Sequence, residues 1–337
     1  MPKLSVLVPI YNVEKYLDEC LASFAKQTLK DIAIICINDS SIDNSPKILQ
    51  KYAKKYPNFV VINKQNSGYG DSMNKGLEKA TGEYIGIVES DDFIESDAFE
   101  KLYKLAHETK ADIVKANYFY HSKDGDVLHE VVKNQKLGTP LSLADDTSIL
   151  FEEPGIWSAI YRRKFLQENK INFRTTPGAS YQDTGFHFKS FCAARRIAYT
   201  NEAYLHYRVD NASSSVKSLE KINYIVSEYA EIEEFIKKYK LPKKVIQTLQ
   251  IAKFGAYHWN LQRLPKKLAI KFARTIKQEF GDAKKANLIQ KQYFPKHYWF
   301  ALQLILYFPP QIYCSILAIH KRLRWFMLRY TYGSKRL

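Results

Sequence analysis

The sequence predicts an α/β fold in which a mainly parallel sheet is flanked by helices. From Leu4 to Ala80, apolar runs of strand length alternate with segments in which apolar residues recur at helical spacing. The strand-length runs are apolar at consecutive positions, which is typical of strands that are buried on both faces of a parallel sheet. Ligands of such sheets bind beyond the carboxyl ends of the strands, so the residues that follow each strand are candidates for a functional site.

The elements follow one another in a regular order. The first strand is stopped by Pro9, and apolar residues from Val13 to Phe24 recur at helical spacing. Ser45-Pro46 supplies a capping residue and a proline for the first turn of the next helix. The predicted strands are residues 4–10, 31–37, 59–62, 84–88 and 112–119, and the predicted helices are 13–24, one from 45, one through 73–80, and 96–109.

Polar side chains follow the first four predicted strands. Three acids come directly after the fourth strand, Glu89, Asp91 and Asp92, and their charges repel one another. A divalent cation that prefers oxygen ligands and bridges to phosphates is one reason for a protein to keep such acids together, and a solvated acidic turn is the other interpretation. The residues that follow the first three strands are Tyr11, Asn12, Glu14, Asn38, Asp39 and Asn66.

The charge of the chain indicates an anionic partner. The formal net charge is +16 over 337 residues, and this length allows one large domain with a smaller one or two of similar size. Beyond Asp282 the sequence contains no Asp or Glu but many Lys and Arg, so its last part is a basic arm. A nucleotide, a nucleic acid and an acidic membrane face are all compatible with this charge.

The cysteines and the N-terminus predict a cytoplasmic protein. The four cysteines lie in apolar contexts without C-x-x-C spacing, which argues against a disulfide framework or a zinc site. The chain enters a strand-like run at Leu4, and no signal-peptide pattern precedes it.

The usual glycine-rich phosphate-binding motifs are absent. The turn after the first strand contains Tyr11-Asn12 and lacks G-x-G-x-x-G, and the chain has no P-loop. The acids after the fourth strand are therefore predicted to hold phosphates through a metal ion.

The order of these motifs resembles glycosyltransferase family 2, whose members are nucleotide-sugar enzymes with the GT-A fold, a Rossmann-like α/β architecture. The resemblance covers approximately residues 1–215 and depends on the order of several short motifs. These motifs are Val8-Pro-Ile-Tyr-Asn-Val-Glu, Ile37-Asn-Asp-Ser-Ser-Ile-Asp-Asn-Ser, Asn66-Ser-Gly-Tyr-Gly-Asp-Ser-Met-Asn-Lys-Gly, Ala80-Thr-Gly-Glu-Tyr-Ile, Glu89-Ser-Asp-Asp, Trp157-Ser-Ala-Ile-Tyr-Arg, Tyr181-Gln-Asp-Thr and His206-Tyr-Arg.

The resemblance implies roles for residues on the nucleotide side. Pro9, Tyr11 and Glu14 are expected to frame the base and ribose, and Asp39 is expected to hydrogen-bond the base. Asn66 and the glycines that begin at Gly68 are expected to line the base pocket. Glu89, Ser90 and Asp91 stand at the family's D-x-D positions, where Asp91 is expected to bind Mn²⁺ or Mg²⁺ directly and Glu89 to face the ribose.

The resemblance also implies the catalytic and closing residues. Asp183 matches the general base, although a plain helix N-cap is an alternative for this residue. His206 and Arg208 fall where the family closes over the diphosphate, with His206 a candidate metal residue or a packed strand histidine. Trp157 and Tyr181 are candidates for stacking on the acceptor sugar, and Gln182 lies beside them in the acceptor site.

Three departures from the family pattern change individual contacts. Glu89 replaces the more usual first Asp of D-x-D, and Asn38 stands where an Asp is common. Gln182 stands where an acid often precedes the base, so Asp183 has one less repelling neighbour.

The domain prediction has three parts. Residues 1–120 form the nucleotide-sugar half and residues 121–215 the acceptor half of one catalytic domain, with His121 to Asp146 as a variable polar excursion near the acceptor. Residues 216–337 form a helical region, with helices at 219–236, 245–264 and 267–280. Basic and aromatic residues interleave over 290–337, which favours a helix in the headgroup region of an anionic leaflet, with packing on the catalytic domain or true insertion as alternatives.

The sequence therefore predicts an inverting, metal-dependent hexosyl- or N-acetylhexosaminyltransferase. The expected donor is a nucleoside-diphosphate sugar, most simply a UDP-sugar, and the expected acceptor is a saccharide, lipid-linked at the inner face of the cell membrane, in cell-surface polysaccharide synthesis. No nucleic-acid partner is expected. The alternatives are a nucleotidyltransferase of the same fold class and a non-enzymatic binder of anionic surfaces.

Overall fold

The computed structural model describes residues 1–133, 135–151, 153–211 and 222–319. The chain divides into two compact units, and the division falls between Phe235 and Ile236. This division lies later in the chain than the predicted domain boundary at 215.

In the described part of the chain, nine strands form one sheet with the order β3-β2-β1-β4-β8-β6-β9-β5, and β7 pairs with β6. The strands are β1 (Leu4–Ile10), β2 (Ile32–Asn38), β3 (Phe59–Asn63), β4 (Tyr84–Ile87), β5 (Phe93–Ile94), β6 (Ile113–Ser122), β7 (Gly125–His129), β8 (Ala159–Arg162) and β9 (Ile197–Arg208).

The helices follow the predicted alternation closely. In the first unit they are α1 (Glu14–Ala25), α2 (Ser45–Lys55), α3 (Tyr69–Lys79), α4 (Ala98–Thr109), α5 (Arg163–Glu168), α6 (Gln182–Ala193) and most of α7 (Ile222–Lys238). The second unit contains α8 (Lys243–Arg263), α9 (Lys266–Lys285), α10 (Lys296–Tyr307) and a further helical segment at 310–319.

The prediction of an α/β fold is confirmed, and the sheet is mixed, because β6 and β9 are also parallel to each other whereas β5, β7 and β8 pair antiparallel with their neighbours. Strands β1 to β4 are mutually parallel and all seven residues of β1 are buried, as the continuous apolar run predicted. Strand β8 then pairs antiparallel with both β4 and β6. Strand direction leaves no mark on the apolar pattern, so the sequence could not distinguish the parallel strands from the antiparallel ones.

The predicted polar excursion after His121 contains a β-hairpin. Strand β6 continues to Ser122, and β7 returns from Gly125 and pairs with β6 in antiparallel register. Gly125 has a φ of 113°, a left-handed value that favours glycine. The Asp124-Gly125 pair was the sequence signal for this hairpin.

The second unit is a helical bundle with an aromatic core. Phe254 and Tyr257 of α8 pack on Phe280 of α9, and Lys253 pairs with Glu279 at 2.8 Å beside them. Helices α9 and α10 begin directly after prolines, which end the preceding segments. Among the described residues, no helix is long and apolar enough to cross a membrane. The predicted basic segment beyond residue 319 lies outside the described residues.

Candidate active site

The loops at the carboxyl ends of β1 and β2 are locked to each other. Glu14 accepts hydrogen bonds from the backbone N–H and the side-chain amide of Asn44, at 2.8 and 2.7 Å. Tyr11 follows the end of β1 and is half exposed, at 52%. Pro9 lies within β1, opposite Ile37 of β2, and is buried. Its ring was expected to contact the base, but in this structure the ring is not exposed to a ligand.

Asp39 holds the turn that precedes α3. Its carboxylate accepts the backbone N–H groups of Ser67 and Gly68, each at 3.0 Å, and pairs with the ammonium of Lys64. The amide of Asn66 donates to the backbone carbonyl of Asp39 at 3.2 Å. These contacts use three of about four acceptor positions of the Asp39 carboxylate, so its described role is to shape the turn.

The glycines of this turn contact the segment that leads to α6. A Cβ on Gly68 would lie 2.6 Å from the carbonyl oxygen of Thr176, and one on Gly70 would lie 1.9 Å from that of Arg174. The two backbones therefore touch. Gly68, which was expected to line a base pocket, faces this segment, and its φ of 94° also favours glycine.

The acids after β4 are held by different partners. Glu89 accepts the hydroxyl of Tyr69 at 2.7 Å, and Asp91 accepts the side-chain amide of Asn211 at 2.7 Å. Ser90 between them is buried. Asp92 is 1% exposed, and one of its carboxylate oxygens has no hydrogen-bond partner among the described residues. Burial raises the pKa of Asp92 well above its usual range, and the charge of Asp91 adds to this rise.

Asp183 lies in the first turn of α6 and is not the N-cap residue. The N-cap is Tyr181, whose φ of 63° makes the sharp entry into the helix. The Asp183 carboxylate accepts the backbone N–H of Thr184 at 2.8 Å. Burial raises the pKa of Asp183 to about 6, although the hydrogen bonds from Thr184 act in the opposite direction. A base with a pKa just below neutral pH is ionised and can still take up a proton.

Asp183 and Asp91 belong to one site, because the charges of both act on the side chains of Glu89 and Tyr207. Burial raises the pKa of Glu89 to about 8, the hydrogen bond from Tyr69 opposes this rise, and the charges of Asp91 and Asp183 add to it. Burial also raises the pKa of Tyr207, followed by the charges of Asp92, Asp91, Glu89 and Asp183. These four acids are therefore close enough to act on Tyr207 together, and we call them the carboxylate site.

The predicted acceptor residues have different environments. The indole of Trp157 stacks on Tyr207, with ring centroids 5.0 Å apart and planes inclined by 18°, and its buried N–H has no hydrogen-bond partner among the described residues. Tyr181 is half-buried. Gln182 is 1% exposed and its amide donates to Thr176 and Gly178 at 2.6 and 3.1 Å, so it braces the loop before α6 and is not open to an acceptor.

Arg208 lies beside the carboxylate site, and His206 does not. The backbone N–H of Arg208 donates to Asp92 at 2.8 Å, and its guanidinium donates to the carbonyl of Asp91 at 2.9 Å and to Glu19 at 2.6 Å. The ring nitrogens of His206 face Glu95 and Asp126, at 3.0 Å each. Successive residues of a strand point to opposite faces, so the side chains of His206 and Arg208 share one face of β9 and Tyr207 lies on the other. Arg208 is the last residue of β9 and reaches the carbonyl of Asp91, whereas the ring nitrogens of His206 face Glu95 and Asp126, so we do not assign His206 to the metal ion expected at Asp91.

Four residues of the site were missed by the sequence reasoning. Tyr207 lies inside a motif that was used only for His206 and Arg208, and Asn211 lies three residues beyond it. Tyr69 lies inside a motif that was used for its glycines. Glu228 of α7 is 0% exposed, and a Cβ on Gly185 would lie 2.2 Å from its carboxylate. Burial raises the pKa of Glu228 to about 8, and Asp183 is among the charges that add to this rise. No sequence signal connected Glu228 to the site.

The donor set of the carboxylate site fits a hard cation. The unpartnered oxygen of buried Asp92 and the repulsion between neighbouring acids indicate a missing positive charge. Glu89, Asp91 and Asp92 are not close enough together to bind one metal ion with three protein ligands. In the described part of the chain, only His121, Asp126 and His206 form a group of three potential ligands. Mg²⁺ is commonly held by one or two carboxylates together with substrate phosphates, so Asp91 suffices as a direct ligand.

Comparison with known protein families shows which family the chain belongs to. The model of the family described as "Glycosyl transferase family 2" matches residues 5–192, which is more than half of the chain. The chain belongs to glycosyl transferase family 2. The matched region of this family 2 chain contains Asp39, the acids after β4 and Asp183.

The relatives of this family 2 chain agree with the assignment. It is 34% identical over 225 residues to the putative glycosyltransferase EpsH of Bacillus subtilis (strain 168), a match that covers 65% of this chain and 64% of EpsH. The chain therefore spans a little under two thirds of that relative's length.

Solved structures show the GT-A fold. S. aureus TarS 1-349, in complex with UDP-GlcNAc, superposes with a TM-score of 0.64 at 21% identity, over 95% of this chain and 92% of that chain. The mannosyltransferase PcManGT of Pyrobaculum calidifontis, in complex with GDP-Man and Mn²⁺, gives a TM-score of 0.55 at 16% identity, over 94% and 86% of the two chains.

Proposed function

We propose that this family 2 chain transfers a sugar from a nucleoside-diphosphate sugar to a hydroxyl group of a saccharide acceptor, with inversion at the anomeric carbon. The observation that carries the proposal is the position of Asp183, whose charge acts on the same Glu89 and Tyr207 as that of Asp91. One carboxylate is thus available for the incoming hydroxyl and another for the departing diphosphate, within one site.

Asp183 serves as the general base in this proposal. The acceptor oxygen attacks the anomeric carbon, the bond from that carbon to the diphosphate oxygen breaks, and the hydroxyl proton moves to the Asp183 carboxylate. The pKa of about 6 keeps Asp183 ionised at neutral pH. The stacked pair of Trp157 and Tyr207 offers an aromatic surface beside this point, on which a sugar ring can pack.

Asp91 would hold a divalent cation, Mn²⁺ or Mg²⁺, whose charge stabilises the diphosphate as it leaves. Asn211 orients the Asp91 carboxylate at 2.7 Å, and Arg208 brings a guanidinium to the carbonyl of Asp91. Glu89 and Ser90 border the ribose, and the loops that contain Tyr11, Glu14 and Asn66 border the base. The complexes of the structural neighbours with UDP-GlcNAc and with GDP-Man and Mn²⁺ support a nucleotide-sugar donor and a metal.

The test is a transfer assay with a panel of UDP- and GDP-sugars and Mn²⁺ or Mg²⁺. We expect a UDP-hexose or UDP-N-acetylhexosamine to be consumed, with release of the nucleoside diphosphate and a product of inverted anomeric configuration in its NMR spectrum. Release of pyrophosphate with a nucleotide on the product identifies a nucleotidyltransferase and overturns the proposal. Absence of turnover with every donor, together with salt-sensitive binding to anionic surfaces, also overturns it.

The acceptor is a lipid-linked saccharide at an anionic membrane surface in this proposal, and the protein is cytoplasmic and peripheral to the inner face of the cell membrane. Two features of the second unit support this location. Phe300 and Tyr307, seven residues apart on α10, are each 66% exposed, and Ile312 and Ile319 are also exposed. Lys277 and Lys284 of α9 contact Phe308 and Tyr307, so positive charge borders this apolar surface.

Vesicle sedimentation tests the membrane location. We expect the protein to sediment with vesicles that contain phosphatidylglycerol, less as salt rises, and not with pure phosphatidylcholine vesicles. The double variant Phe300→Ser, Tyr307→Ser should lose this binding because it removes the apolar surface. Val127→Ser, which changes a valine that is 65% exposed on β7, is the control and should bind as the wild type does. Equal sedimentation of all three proteins contradicts the location.

A further inference from the structure

A second group of potential metal ligands lies apart from Asp91 and Asp183. It consists of His121 on β6, Asp126 on β7 and His206 on β9, and we call it the histidine cluster. The donor atoms of these side chains all lie within 4.8 Å of one another. The Asp126 carboxylate lies between the two imidazoles, 2.7 Å from Nδ1 of His121 and 3.0 Å from Nδ1 of His206. Sheet pairing brings these ligands together, because Asp126 is directly opposite His121 in the hairpin.

His206 is held rigidly, and one of its nitrogens lacks a hydrogen bond. Its ring is 6% exposed and stacks between Phe93 and Phe119, with centroid distances of 4.3 and 5.0 Å and interplanar angles of 7° and 22°. Its Nε2 lies 3.0 Å from a carboxylate oxygen of Glu95, which fixes the ring orientation. Its Nδ1 is buried, close to Asp126, and has no hydrogen-bond partner among the described residues.

This arrangement leaves two electron-rich atoms facing each other. When Nε2 carries the proton that Glu95 accepts, Nδ1 presents a lone pair to the Asp126 carboxylate oxygen. Two lone pairs 3.0 Å apart repel each other, so something positive belongs between them or beside them. A metal ion, a second proton on His206 or a proton on the Asp126 carboxyl group can supply that charge.

The ligand types distinguish this group from the carboxylate site. Two imidazoles and one carboxylate suit Zn²⁺ and similar borderline cations, whereas sites made of carboxylates and phosphates suit Mg²⁺ and Mn²⁺. A metal-bound histidine commonly donates its other N–H to a carboxylate, which is the contact that His206 makes with Glu95. Neighbouring ligands of a tetrahedral zinc ion are about 3.3 Å apart, and the Asp126 oxygens lie at the shorter distances of 2.7 and 3.0 Å from the two histidine nitrogens, so Asp126 needs to move outward slightly.

An ion can reach the histidine cluster from solvent. The side chains of Asp126 and His121 are 37% and 22% exposed, so Asp126, the ligand that has to shift, is also the more accessible of the two. Their exposure leaves room for a water molecule as the fourth ligand, which is usual when a protein supplies three.

We propose that His121, Asp126 and His206 form a binding site for Zn²⁺ or a similar transition-metal cation, with Glu95 as the carboxylate that orients His206. The ion joins the β6–β7 hairpin to β9, and through the stacked Phe93 also to β5. This site shares no ligand with the carboxylate site, so the occupancy of each can be measured in a variant that lacks the ligand of the other.

The experiment uses the full chain without an affinity tag, stripped with EDTA, desalted, and kept in excess Mg²⁺ so that the carboxylate site is occupied. Elemental analysis after equilibration with Zn²⁺ should find one equivalent of bound zinc, and the melting temperature should rise with Zn²⁺. The Asp91→Asn protein should bind zinc equally well. With Co²⁺ in place of Zn²⁺, a visible absorption band of the bound ion should appear.

Substitutions distinguish the proposed metal ligands from neighbouring residues that do not bind the ion. His121→Ala and Asp126→Asn should lose the zinc equivalent, the melting shift and the Co²⁺ band, and Glu95→Gln should weaken zinc affinity by about 10- to 100-fold. His129→Ala is the matched control, because His129 is another imidazole on the same hairpin that pairs with a carboxylate, that of Glu153 at 2.7 Å. It should bind zinc as the wild type does.

Three results overturn the proposal. The first is a wild-type protein without bound zinc and without a melting shift, a result that does not depend on the folding of any variant. The second is unchanged zinc binding by the partly exposed Asp126→Asn variant. The third is a wild type that is stabilised only by acidification and not by Zn²⁺, which assigns the charge between His206 and Asp126 to a proton.

Discussion

Replacement of Asp183 by asparagine is expected to lower kcat by about 10²- to 10⁴-fold, the usual contribution of a positioned general base. The asparagine oxygen can still accept the N–H of Thr184, which Asp183 accepts at 2.8 Å, so the first turn of α6 should persist. Donor binding should also persist, because Asp183 is assigned to the acceptor. The measurements are single-turnover transfer and donor-induced thermal stabilisation on the same protein preparation.

The pH dependence separates a base from a merely structural carboxylate. The base works only when it is deprotonated, so kcat/KM of the wild type should rise with pH through about 6 and then level off. Asp183→Asn should lose this rise. Glu78→Gln, which changes a carboxylate that is 67% exposed on α3, is the control and should retain both rate and pH profile. Residual transfer above about a tenth of the wild-type rate would remove Asp183 from the mechanism.

The arrangement of strands and helices in the first half of the chain could be predicted because each element carries its own local signal. Continuous apolar runs predicted β1 and β2. The carboxyl ends of these predicted strands indicated the loops where the site lies. The direction of β8 and the pairing of β7 depend on contacts between distant segments, which no local pattern contains. The Asp124-Gly125 turn was visible, but the polar residues around it obscured the strands on either side.

The contacts of the predicted site residues depend on neighbours that the sequence does not identify. Asp39 and Gln182 were expected to touch ligands, and both are occupied by backbone groups of the loops they brace. A sequence shows that a polar residue follows a strand, but not which nearby N–H group reaches it first. His206 shows a second limit, because one position along a strand decides which face a side chain occupies. The neighbouring Tyr207, which was not singled out, is the residue that faces the carboxylate site.

Replacement of Asp91 by asparagine is expected to abolish the metal dependence of donor binding. In the wild type, a nucleotide sugar should raise the melting temperature more in the presence of Mn²⁺ than in EDTA, because the cation joins Asp91 to the diphosphate. The variant loses the charged ligand but keeps an oxygen that can accept the amide of Asn211, so the loop should remain in place. Transfer should fall by at least about 10²-fold, since stabilisation of a leaving group by a metal accounts for several kcal/mol.

Asp92→Asn is the matched control for a charge effect at this position. Burial raises the pKa of Asp92 well above its usual range, and the amide keeps the shape of this side chain while it removes a carboxylate directly beside Asp91. The backbone N–H of Arg208 can still donate to the oxygen of the new side chain, as it does to Asp92 at 2.8 Å. If Asp91→Asn retains its response to Mn²⁺, or if both variants lose it equally, Asp91 is not the metal ligand. A selective loss at Asp91 requires that its ionised carboxylate, and not the negative charge of the loop as a whole, binds the cation.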